Sequence, residues 1–275
     1  MLASVYRWFD RNILELGREL RLSYLPPLMV YLAYGVSGLT AIVGTFFVKD
    51  YLGLSAEFLA ALGFWAGIPW ALKMPLGHLV DLIWRYKAGL VFLGAGLLAA
   101  SLFIMIGLLA SPDAMAEVMP ISAWFVVSAL LAPVGYVVQD VVADAMTVEA
   151  VPRVDAEGQA IADSRLRLMH TTMQTLGRVA LVGGGVLVSL LNIYIFADVE
   201  TMTEADKVAR YIRIYELALM IPVLSVLGVL LAGVLKLRHY RQLRRSGIGR
   251  PEAWELVHGQ LERTAPNWWI LGGSL

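Results

Sequence analysis

Of 275 residues, 59% are hydrophobic and 16% charged, and the mean hydropathy of +0.68 is well above what a water-soluble domain carries; the chain reads as an all-α integral membrane protein. Lysine plus arginine and aspartate plus glutamate stand at 22 each, so net charge gives no footprint for nucleic acid. The absence of cysteine excludes disulfides, thiolate metal sites and thiol nucleophiles, and the four histidines, His78, His170, His239 and His258, lack metal-ligand spacing.

Residues 1–24, MLASVYRWFDRNILELGRELRLSY, do not form a secretory leader, because charges interrupt them and no apolar core or small-residue cleavage site is present. Val5, Trp8, Phe9, Ile13, Leu16 and Leu20 recur at helical spacing against Arg7, Arg11, Arg18 and Arg21. That pattern predicts an amphipathic helix, either seated at lipid headgroups or simply solvated. Residues 25–237 follow with six apolar runs near 25–48, 58–80, 88–110, 121–146, 168–196 and 215–235. Each approaches the roughly 20 residues that a bilayer core requires of a helix. Pro26 and Pro27 suit a first helical turn, and Pro69 and Pro75 predict a bent second span.

Basic residues orient the bundle. They precede the first span, return as Arg85 and Lys87 between the second and third, as Arg153, Arg165 and Arg167 between the fourth and fifth, and as KLRHYRQLRRSGIGR after the sixth. The positive-inside rule therefore puts both ends of the six-span unit in the cytoplasm, at the inner membrane if the source is bacterial. Residues 238–266 read as a basic, amphipathic cytoplasmic linker, and 267–275 as the first turns of a seventh span. The chain is thus expected to stop inside a longer protein, the other reading being a complete six-span protein with a short interfacial tail.

Ionisable groups are costly in hydrocarbon, so those that persist usually face a partner or a wet cavity. In VQDVVADAMTVEA, Asp140 and Asp144 are one helical turn apart, Tyr136 continues their face and Gln139 is adjacent. On the fifth span His170, Gln174 and Arg178 form a second stripe. Counting residues from the shared boundary puts Asp140 and Arg178 at similar depth, which predicts an ion pair between them and leaves Asp144 for a proton, a substrate group or Lys73. Such a pair either serves transport or only fixes helix register. Lys73 either snorkels to the interface or faces the cavity; His170 is either a boundary histidine or a proton relay. Lys73, Gly77 and Asp81 share one face of the second span, and Asp81 with Arg85 and Lys87 in GHLVDLIWRYK could latch a gate. No nucleotide loop, hydrolase motif or haem site occurs, so neither enzymatic activity nor a cofactor nor a metal is expected.

GHLVDLIWRYK resembles the loop between the second and third helices of major facilitator superfamily transporters, with Asp81 and Arg85 on the matching positions. FFVKDYLGLSAEFLAALGFWAGIPWALKMPLGHLVD and VQDVVADAMTVEA are similar to the folate-biopterin transporter family within that superfamily; the muropeptide permeases share an aspartate-containing fourth helix. The resemblance covers the first half of such a transporter. It implies a twelve-span fold of two six-span halves, of which this chain is the first, with the solute bound between them near the midplane and access alternating by rocking. It also implies secondary active, proton-coupled uptake of a folate or pterin, completed by a missing second half or a second copy. Lys73, Asp140, Asp144 and Arg178 fall where the family shows charge. A folate is a planar anion, which a cation such as Arg178 or Lys73 and aromatic walls from Tyr31, Tyr34, Trp65, Trp70 or Tyr136 would suit. Two other readings are a permease for another solute, muropeptide-like, and a membrane scaffold that moves nothing.

Overall fold

The computed structural model describes residues 20–47, 53–152, 160–258 and 265–272, without the side chains of Phe46, Arg85 and His258. Most of the amphipathic segment expected at 1–24 therefore lies outside the described residues. Among them every regular element is helical, and six helical stretches are long and apolar enough to cross a membrane. The chain is a multi-pass, all-α membrane bundle.

The first span opens with α1 (Leu25–Gly35), whose prolines occupy the first turn, passes through a 3-10 turn at Val36–Thr40 and continues as α2 (Ala41–Phe47). The second is broken into α3 (Ala56–Ala71), capped by the Ser55 hydroxyl, and α4 (Lys73–Leu82). The third span is α5 (Lys87–Ala110), followed by the short α6 (Pro112–Val118). The fourth is α7 (Ile121–Ala150) and the fifth α8 (Asp163–Phe196). The sixth comprises α9 (Glu204–Ala218) and α10 (Met220–Arg245). Two short helices, α11 (Arg250–His258) and α12 (Trp268–Gly272), close the chain.

Both breaks have one cause. A proline ring clashes with the carbonyl four residues earlier, and its nitrogen donates no hydrogen bond. For Pro75 that carbonyl belongs to Ala71, the last residue of α3; for Pro222 it belongs to Ala218, the last residue of α9. The bend expected in the second span is present. The sixth span differs from its expected start near 215, because residues 204–218 continue it as helix with Tyr211, Ile214 and Tyr215 buried. Their apolar spacing is helical, and the charges between them only mark the outer face.

Small residues set which spans touch. A Cβ on Gly94 of α5 would come within 2.7 Å of the Gly135 carbonyl oxygen of α7, so the third and fourth spans meet backbone to backbone. Ser101 and Ser128 then bind across the same seam, each hydroxyl donating to the other residue's carbonyl at 2.9 and 3.0 Å. The first span packs on the fifth, where a Cβ on Gly184 would reach Gly35 at 2.8 Å, and on the sixth, where Gly228 faces the Pro26 carbonyl at 2.8 Å. The first and fourth spans also pack on each other, with the second lying against the fourth. The second and fifth spans keep wide apolar faces uncovered, among them Phe64 and Trp65 on one and Val182 and Val186 on the other.

Candidate functional site

The break at Leu72 makes Lys73 the first residue of α4, so a basic residue opens that helix at its positive end. Carboxylates compensate it. Lys73 Nζ lies 2.5 Å from Asp140 Oδ2 and 3.1 Å from Asp144 Oδ2, both on the face of α7 that meets α4. From α1 the Tyr31 hydroxyl donates to the second oxygen of Asp144 at 2.5 Å. One cation and two carboxylates leave the cluster one negative charge in excess. Its members differ in access: the Asp140 side chain is 7% exposed, while Lys73 is 41% and Asp144 51% exposed. Asp140 is the inner anchor, and Asp144 with Lys73 is the part a solute can reach.

An aromatic wall adjoins the cluster one turn away. Tyr34 lies with its ring centroid 5.3 Å from Trp70 and 5.7 Å from Tyr136, so three spans contribute to one aromatic surface. Tyr136 also lines a small, partly open cavity of about 170 Å³ together with Thr40, Ser101, Ser128 and Tyr215. A shallow concavity of about 590 Å³ runs from Tyr34 and Ser37 along Leu181, Gly185 and Ser189, between the first and fifth spans.

The ion pair expected between Asp140 and Arg178 does not form, because Asp140 binds Lys73 instead. Depth was matched, but lateral position decides: α8 packs chiefly on α1 and only slightly on α7, so most of the fifth span lies against the first. Arg178 is exposed next to Gly177, which touches the Tyr31 ring, and it bonds neither carboxylate. The snorkelling reading of Lys73 gives way for the same reason, since its ammonium turns to the cluster.

Gln139 does not line this site. It is buried on an adjoining side of α7, where its amide donates to the Val91 carbonyl at 3.4 Å and accepts from Ser225 at 3.0 Å, tying the third, fourth and sixth spans together. His170 and Gln174 lie along α8, half-buried and exposed, and bond no member of the cluster. Gly77 passes Val141 at ordinary contact distance.

At the end of the bundle near GHLVDLIWRYK, of the residues expected to latch a gate only Lys87 has a described ion pair. Asp81 is exposed and has no ion pair among the described residues, and the Arg85 side chain lies outside them. Lys87 is buried: its ammonium is 2.5 Å from Glu149, donates to the Trp84 carbonyl and sits 3.5 Å from the centroid of the Trp84 ring. Lys236 meets the other oxygen of Glu149 at 2.8 Å. Glu149 thus joins the third, fourth and sixth spans. Sequence reasoning missed Glu149, Lys236, Ser225 and the bonding role of Tyr31. An acid and a base at the ends of different spans carry no mutual signal until topology makes them neighbours.

Comparison with known proteins is narrow. Over 83 residues, 30% of this chain, it is 34% identical to a folate-biopterin transporter of Synechocystis sp., and the match spans 17% of that protein's length. No family model and no solved structure matches the chain.

Proposed function

We propose that this chain is the solute-binding first half of a secondary active transporter that takes up a folate- or pterin-type anion together with protons. The observation that carries the reading is the accessible Lys73–Asp144 pair backed by the buried Asp140, among three apolar spans. Charges of this kind are costly in a membrane unless they serve a pathway. The partial likeness to a protein named folate-biopterin transporter supports the same class.

The chemistry follows from sharing one cation. When Asp144 is ionised it competes with an anionic solute for the Lys73 ammonium; when Asp144 takes a proton, Lys73 is released to the solute while Asp140 still holds it in place. Proton and anion therefore bind together, which is the requirement for symport. A flat heteroaromatic ring finds Tyr34, Trp70 and Tyr136 beside the cation. The exposed faces of the second and fifth spans flank this site and would be covered by a second half of major facilitator type or by a second copy, both ends of the present unit lying in the cytoplasm.

Uptake of labelled folate, biopterin and a muropeptide by cells carrying the full reading frame tests this. Accumulation of a pterin or folate that collapses with the proton gradient is the expected result. Accumulation of only the muropeptide would keep the transporter and replace its solute. The tie between Lys73 and the buried Asp140 also suits a scaffold that moves nothing, and no accumulation of any of the three, from protein shown to reach the membrane, would favour it.

A further inference from the structure

Away from that site, the end of the sixth span forms a second concavity of about 490 Å³, lined by Tyr240, Arg241, Arg244, Arg245 and Arg250. Its size is that of small-molecule sites, about 300–1,000 Å³. Local structure builds it. Arg241, Arg244 and Arg245 fall on neighbouring positions of the last turns of α10, and Gly247, at φ +88°, reverses the chain so that Arg250 faces them. Arg244 Nη1 donates to the Ile248 carbonyl at 2.7 Å and so holds that turn closed. Among the described residues none of the four guanidinium groups has a carboxylate within ion-pair distance, although Glu252 and Glu255 stand on the next helix.

We propose that this pocket binds the phosphate of an anionic phospholipid headgroup. Four guanidinium groups without a carboxylate partner among the described residues, one of them also bonded to the Ile248 carbonyl, suit a phosphate, whose oxygens accept paired N–H donors. Depth selects a lipid rather than a dissolved anion. Leu237, one residue past Lys236, is the last apolar residue before the basic segment opens at Arg238, and its side chain is exposed. Arg241 to Arg245 follow it by four to eight residues, roughly 6–12 Å at 1.5 Å per residue. The headgroup layer is roughly 5–8 Å thick on each side of the core, so Arg241 stands within it and Arg244 and Arg245 just beyond, within reach of it through their own side chains. Side chains on a helix also lean back towards its N-terminus, here towards the bilayer. The following helix agrees: Trp254 and Leu256 of α11 are exposed, and Trp254 packs edge-on against Tyr240 with centroids 6.3 Å apart, an aromatic pair of the kind that settles at an interface.

The test uses the purified full chain in a neutral detergent and native mass spectrometry. Short-chain phosphatidylglycerol, short-chain phosphatidylcholine, glycerol phosphate and inorganic phosphate are titrated separately. Wild type should bind phosphatidylglycerol at least about fivefold more tightly than phosphatidylcholine, and Arg241→Gln/Arg245→Gln should weaken that binding by at least about fivefold, since each basic residue near a lipid surface contributes about that factor. Arg165→Gln/Arg167→Gln, in a different basic segment, should leave it unchanged. Equal binding of the two lipids, or no effect of the Arg241/Arg245 variant, overturns the proposal. Binding of glycerol phosphate or inorganic phosphate as tight as that of the lipid overturns it too, and would assign the pocket to a soluble phosphate. Should the double variant lose its monodispersity, the wild-type comparison of lipids and soluble phosphates decides alone.

Discussion

Lys73 is shared by two carboxylates of unequal burial, and that asymmetry separates folding from transport at the level of single residues. Lys73→Met leaves Asp140 buried beside no cation, so the variant should melt lower, and Lys73→Met/Asp140→Asn should recover most of the loss. A double-mutant cycle on apparent melting should give a coupling of about 0.5–3 kcal/mol; additive effects would separate the pair energetically. Asp144→Asn behaves differently, because half of its side chain already faces open space. Its abundance and melting should match wild type while gradient-driven accumulation is lost. A fall in abundance that accounts for the lost uptake would move Asp144 into the scaffold reading.

Helix pairs show how little side-chain volume separates a tolerated change from a damaging one. Gly183, Gly184 and Gly185 are adjacent, yet only Gly184 meets the first span closely, with Gly35 backbone atoms 2.8 Å from where a Cβ would sit, whereas Gly183 has nothing within 4 Å. Gly184→Ala should cost about 1–3 kcal/mol in apparent stability as the first and fifth spans are forced apart, and Gly183→Ala should be near neutral. Thermal unfolding of the two variants side by side checks this; equal effects would mean that helix propensity, not contact, sets the outcome. Glu149 plays the corresponding part for charge, holding Lys87 and Lys236 from two other spans. Glu149→Gln strands the buried Lys87, and a loss of about 3–5 kcal/mol is expected, much more than for Lys236→Met, whose partner keeps Lys87. Matching melting curves for these two variants would deny Glu149 its joining role.

For the whole molecule, the distribution of basic residues predicts sidedness, and the lack of native cysteine makes it directly measurable. A single cysteine at Ser246, after the sixth span, should react with a membrane-impermeant maleimide only after the cells are opened. One at Glu117, in α6 between the third and fourth spans, should react in intact cells. Reversed labelling would invert the bundle and with it the proposed direction of uptake.

The apolar runs, the proline positions and the small residues are local properties, so the sequence alone determined that six helices are long and apolar enough to cross a membrane and that the second is bent. It also marked Asp140, Asp144 and Lys73 as the ionisable groups to explain, because hydrocarbon makes any such group conspicuous. Their partners were beyond its reach. Periodicity gives the face and depth of a residue on its own helix, but not which helix lies beside that face. Tertiary packing alone set the second span against the fourth and the fifth chiefly against the first, and so gave Asp140 to Lys73 rather than Arg178, brought Tyr31 to Asp144, turned Gln139 away towards Ser225 and gathered Lys87 and Lys236 on Glu149.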